Sequence, residues 1–156
     1  MRKIKTTAAL LLFGCSLICL AADSSSTNKV LTIEQAYAQL LSVERFAFGG
    51  TGRAGIESEG STAFRTIAGS TNAMNLFESI LRNGKPAGQL YALAGLRKLD
   101  PDNFSHYERL ISAESKVETM HGCIVEEEKA SDVVARIRHG DYLKYWPGEQ
   151  VKKKPR

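Results

Sequence analysis

The run from Pro86 to Leu99, PAGQLYALAGLRKL, constrains the fold more than any other part of the chain. Leu90, Tyr91, Ala92, Leu93, Ala94, Leu96 and Leu99 point almost all round a helical axis, and a helix apolar on nearly every side must be buried. It needs neighbours on all sides, which predicts a helix at the centre of the fold. Pro86 suits its first turn, where a backbone N–H has no helical partner.

The flanking segments read as the helices that surround it. Thr32 and Gln35 make a capping box ahead of Ile33, Ala36, Tyr37, Leu40 and Val43, predicting a helix from Thr32 to about Phe46. Ala63, Phe64, Ile67 and Ala68 carry helical spacing from Ser61 to Gly69. Asn72 opens a third helix, with Met74, Phe77, Ile80 and Leu81, which Gly84 ends. Asp100-Pro101 caps a further helix bearing Phe104, Tyr107, Leu110 and Ile111. After Ser115 the pattern changes, and Val117, Thr119, Ile124 and Val125 around Gly122 suit at most a short β-hairpin near 117–125. Ser131 and Asp132 open a last helix with Val133, Val134 and Ile137, closed by His139-Gly140. Glu126-Glu127-Glu128-Lys129 reads as the solvated start of that helix, where carboxylates favour the positive end of the dipole. Tyr142, Leu143, Tyr145 and Trp146 are expected to fold back on the body. The fold class expected is mostly all-α, a compact multi-helix domain of helical hairpins.

The N-terminus bears on compartment. Arg2, Lys3 and Lys5 precede an apolar run from Ala8 to Leu20, and Ala21-Ala22 precede the polar Asp23-Ser24-Ser25-Ser26. That is the layout of a secretory signal peptide cleaved after Ala22, although Leu20 is larger than the usual residue three positions back. The apolar run is shorter than the roughly 20 residues a membrane-crossing helix needs. The alternative is a lipoprotein acylated at Cys15, since Leu12-Phe13-Gly14-Cys15 is laid out as a lipobox; membrane association is expected only in that case. The chain thus divides into a signal peptide over 1–22, a polar linker over 23–31, a single helical domain over 32–146 and a disordered basic tail over 147–156.

Cleavage changes the charge and the cysteine count. The formal charge of +4 falls to about +1, with Lys152, Lys153, Lys154 and Arg156 massed in the tail. The body is then mildly acidic, and no basic groove for nucleic acid is expected. Of three cysteines only Cys123 remains, so no intramolecular disulfide can form and the core alone must hold the domain. Cys123 reads as a small buried apolar residue.

Two resemblances add to this. Pro86 to Leu110, with its early proline, its AxAGLxxL stretch and its DP at the turn, resembles a helical-hairpin repeat of the HEAT or armadillo kind. That resemblance implies a solenoid-like stack used to bind partners. Through SVERFAFGG, SEGSTAF, LYALAGLRKLDP, TMHGCI and DVVARIRHGDY, nearly the whole mature chain is similar to a family of small exported bacterial proteins of uncharacterised function. It implies no activity and no catalytic residue.

Three motifs invite chemistry. Gly50-Thr51-Gly52-Arg53-Ala54-Gly55 satisfies GxGxxG, but a helical pattern rather than a strand precedes it, so a dinucleotide site is not expected. The loop is long enough to serve partner binding, through Gly49, Gly50, Gly52, Arg53, Gly55, Glu57 and Glu59. His121 and Cys123, on one face of a strand, are the only candidates for a metal or an activated thiolate; two ligands do not make a site, and no metal or cofactor is expected. Glu57 and Glu59 lack the rigid aromatic-lined cleft of a glycosidase, and no serine lies in a GxSxG elbow. The expected function is a non-catalytic protein-interaction module in the cell envelope, periplasmic or secreted, with an envelope protein as partner. The alternative is a small-ligand or metal-binding module centred on His121 and Cys123.

Overall fold

The computed structural model describes residues 30–149. The expected signal peptide, the lipidation candidate Cys15, most of the linker and residues 150–156 of the tail lie outside the described residues. In chain order the elements are α1 (Ile33–Ser42), β1 (Arg45–Phe46), β2 (Gly50–Thr51), β3 (Ile56–Glu57), α2 (Glu59–Ala68), α3 (Ala73–Asn83), α4 (Pro86–Leu99), α5 (Phe104–Glu108), β4 (Lys116–His121), β5 (Ile124–Lys129) and α6 (Ala130–His139). A 3₁₀ turn follows at Leu143–Tyr145.

The apolar segment is α4, and it lies at the centre. It packs on α1, α2, α3, α5 and α6 and on strands β1 and β4. Leu90, Tyr91, Ala92, Leu93 and Leu96 are fully buried, while Leu99, at the end of the helix, is partly exposed. Close packing needs a small residue where backbones meet. A side chain at Gly88 would run into the Leu40 carbonyl of α1, so this glycine sets how near α1 approaches α4.

The all-α expectation is wrong: helix makes up 52% and strand 15% of the described residues, a mixed α/β architecture. Strand β4 pairs with β5 antiparallel and with β1 parallel, giving the order β1-β4-β5, and β2 pairs with β3 in a separate small hairpin. The helical-hairpin stack is corrected with it, since α4 is flanked by a sheet as well as by helices, and α5 is a helix of five residues. The expected hairpin near 117–125 exists but is the middle and edge of a larger sheet.

Alternation sets the two faces of that sheet. Phe46, Val117 and Thr119 are buried on the helix-facing side. The register Arg45↔Glu118↔Glu127 places the charged row on the other side, where Arg45 pairs with Glu118 and Lys116 with Glu127.

Several helix ends follow their caps. The Thr32–Gln35 capping box is formed in both directions, at 3.1 and 3.2 Å. Yet α1 ends at Ser42 rather than near Phe46, because Val43 turns extended so that Phe46 can enter the sheet. The Ser58 hydroxyl caps α2 by accepting from the Ser61 amide, so the helix starts at Glu59, two residues ahead of the expected Ser61. Gly140, at φ 93°, ends α6 in the left-handed conformation.

Candidate functional site

The two features singled out in the sequence meet in the structure. The glycine-rich loop folds into the β2–β3 hairpin, with Gly52 to Gly55 as its turn. The Gly52 amide donates to the Gly122 carbonyl at 2.9 Å, tying that turn to the tip of the β4–β5 hairpin. At this tip Gly122 and Cys123 form a two-residue loop between the paired His121 and Ile124. Gly122 has φ 62°, which suits glycine in the first central position of a II′ turn.

An aromatic cluster holds the base of the loop. Tyr145 stacks on Phe48 at 4.9 Å and lies against Gly49, where a Cβ would come within 3.1 Å of the ring and a φ of 81° already favours glycine. Tyr142 meets Phe46 edge-on at 5.1 Å, and Trp146 meets Phe64 at 6.0 Å. The C-terminal aromatics therefore latch the body as expected. Tyr91 clamps the same region from below: its hydroxyl accepts from the Ala47 amide at 2.8 Å and donates to the Ala47 carbonyl at 2.5 Å. Burial pushes the Tyr91 hydroxyl up to about 12.

The acidic run contributes one structural carboxylate. Glu128 points to the helix side of the sheet, where Arg136 of α6 donates to both of its oxygens at 2.8 and 3.0 Å. The hydrogen bonds from Arg136 hold the Glu128 carboxyl below the usual range, with Thr119 adding to the effect and burial opposing it. Arg136 also donates to the Tyr142 hydroxyl at 3.1 Å, joining β5, α6 and the aromatic latch. This overturns the reading of Glu126 to Lys129 as the first turn of α6: all four lie in β5, and the helix begins at Ala130.

The predicted site residues fall in different places. Arg53 is exposed in the turn of the loop. Glu57 lies at the base, where it accepts from Ser61 at 2.6 Å and pairs with Arg65. Glu59 belongs to the first turn of α2 and accepts from Gln39 at 3.2 Å. His121 ends β4 with its ring 3.7 Å from the Glu128 carboxylate. Cys123 is exposed, not buried, because it occupies a hairpin turn rather than a core-facing strand position. The turn also takes it out of the strand alternation that was expected to align it with His121. Among the described residues no three His, Cys, Asp or Glu side chains group to hold a metal ion.

Two hollows flank this region. The smaller, about 190 Å³, is lined by Phe46, Phe48, His121, Arg136, Tyr142 and Lys144 among others. That is below the roughly 300 Å³ at which small-molecule sites begin. The larger, about 580 Å³, opens beside β1 and the start of α2. Of its carboxylates, Glu44 is paired with Lys85 and Glu118 with Arg45, leaving Glu59 as the one outside an ion pair among the described residues.

What sequence reasoning missed is the exposed apolar set on the joined hairpins: Ile56, Ile124 and Val125 are 61%, 62% and 47% exposed. Their one signal is that Ile124 and Val125 directly follow a Gly-Cys turn and precede three glutamates, as edge residues of a strand with no buried face. Comparison with family models, with curated proteins and with solved structures gives no match for this chain.

Proposed function

We propose that the protein is a non-catalytic interaction module that docks a partner protein through its joined hairpin tips. The observation that carries this reading is the Gly52–Gly122 hydrogen bond. It joins the ends of two hairpins and so brings Ile56 of one near the exposed Ile124 and Val125 of the other, which lie on opposite faces of β5. Scattered apolar residues on a surface are ordinary; several on adjoining hairpin ends are the kind of patch that binds protein. The glycine-rich loop takes part as a scaffold, with Arg53 exposed in its turn.

The polar groups nearest this surface support a structural rather than a catalytic role. Glu128 is committed to Arg136 and Thr119, and Glu57 to Arg65 and Ser61. No helix among the described residues is long and apolar enough to cross a membrane. The envelope as the place of action rests on the layout of residues 1–22.

A photo-crosslinking side chain placed at Ile124 and, separately, at Asn75 on α3 tests the reading in the native cell. The expected result is a discrete conjugate to one protein from position 124 and none from position 75. Equal conjugates from both positions, or none from either, would contradict it.

A further inference from the structure

The interaction reading says that a partner docks; the backbone of β5 says how. Within β4–β5 the closing pair is His121↔Ile124, and the Ala130 amide donates to the Ser115 carbonyl at 2.8 Å just beyond the other end. In an antiparallel ladder, residues that exchange hydrogen bonds recur at every second position. Ile124, Glu126, Glu128 and Ala130 thus bond inward to β4. The amides and carbonyls of Val125, Glu127 and Lys129 point the other way. β5 is the last strand of its sheet; the Lys129 carbonyl opens the hydrogen bonding of α6 as its N-cap, and the other five groups have no hydrogen-bond partner among the described residues.

An open edge accepts another strand, and the question is whose. The side chains answer it. Glu126, Glu127 and Glu128 follow one another along the edge, and Glu126 has no ion-pair partner among the described residues. A second copy pairing β5 with β5 about a two-fold axis brings glutamates opposite glutamates, which is destabilising. An incoming strand with lysine or arginine opposite Glu126 is favoured, since Glu127 and Glu128 are already paired with Lys116 and Arg136, and an apolar residue on its other face meets the exposed Val125.

We infer that β5 is the receiving edge for an extended, basic segment of a partner protein, which adds to the sheet as a fourth strand beside β5. The inference rests on the interaction reading, and it predicts the partner's chemistry: alternating apolar and basic residues in an extended stretch, held by main-chain hydrogen bonds to Val125, Glu127 and Lys129.

The test uses the folded chain and a labelled peptide of about eight residues alternating valine and lysine, followed by fluorescence anisotropy and by amide hydrogen exchange. The expected result is saturable binding that slows exchange at Val125, Glu127 and Lys129. Glu127→Pro removes an outward N–H without touching the ladder to β4, and it weakens binding by about tenfold or more. Glu126→Lys, which alters no backbone group, weakens binding of this peptide and strengthens that of its valine–glutamate counterpart. Unchanged exchange at the three amides under saturating peptide, or equal binding by wild type and both variants, overturns the inference. So does a dimer of the free protein in sedimentation that Glu127→Pro dissociates, since the occupant is then a second copy. A crosslinked partner at position 124 that Glu127→Pro leaves in place ends strand addition but keeps the interaction reading; absence of any conjugate ends the interaction reading itself.

Discussion

Single side chains join the parts of this molecule, and Tyr91 is the clearest. Its hydroxyl satisfies both the amide and the carbonyl of Ala47 in the core. Tyr91→Phe leaves that buried amide without a partner and is expected to cost about 1–3 kcal/mol, read as a lower urea midpoint at unchanged m-value. Because its folded pKa of about 12 lies above the ordinary 10, the Tyr91 contribution is fully present below pH 10. It is lost as pH rises toward the folded value. Glu128 works in the opposite sense. Its carboxyl titrates below the ordinary 4.5, so its contribution is present above that pH and is lost as pH falls through the folded pKa. Glu128→Gln is expected to destabilise the protein by about 1–2 kcal/mol at neutral pH, with the difference from wild type shrinking in acid. Cys123, exposed in its turn, is expected to react with a thiol reagent in the native protein at nearly the rate seen in denaturant. Labelling only after unfolding would contradict its placement.

At the scale of elements, what the sequence shows and what it hides divide along physical lines. The helices α1, α3, α4 and α6 are legible because each carries its own apolar spacing and its own end signals, such as the Thr32–Gln35 box and Gly140. The fit of α1 against α4 depends on the bare backbone of Gly88. Gly88→Ala is expected to cost about 1–3 kcal/mol or more by overpacking, measured by thermal unfolding. The sheet is hidden for the opposite reason. β1 is two residues long and pairs with β4 across 73 positions, a non-local contact that no local pattern announces. β5 is exposed on nearly every residue, so it shows no alternation, and its glutamates have a helical preference that the pairing with β4 overrides. The same exposure hides the candidate site, since hydrophobic periodicity reports burial and an open edge has none. The glycine-rich loop and the His121–Cys123 turn are each visible in the chain, whereas the hydrogen bond that joins them requires the fold. Glu127→Pro adds a check on the edge: it is expected to shift the urea midpoint by less than about 1 kcal/mol, because the amide it removes points outward. A large loss would mean that this amide is already bonded.

For the molecule as a whole, α4 is a hub with helices on several sides and a three-stranded sheet on another. The Gly52–Gly122 bond joins the hairpin tips, and the base beneath them is held through that hub and its aromatic latch: Tyr91 to Ala47, Phe48 to Tyr145, Arg136 from Glu128 to Tyr142. The body thus presents two loops rigidly while leaving one sheet edge unfilled, the arrangement a docking module needs. Amide hydrogen exchange of the full chain, resolved by residue, tests this most directly. The account predicts a slow Gly52 amide, held by Gly122, and a strict alternation along β5, slow at Ile124, Glu126 and Glu128 and fast at Val125, Glu127 and Lys129. A Gly52 amide exchanging at the free-chain rate, or uniform protection along β5, would contradict it.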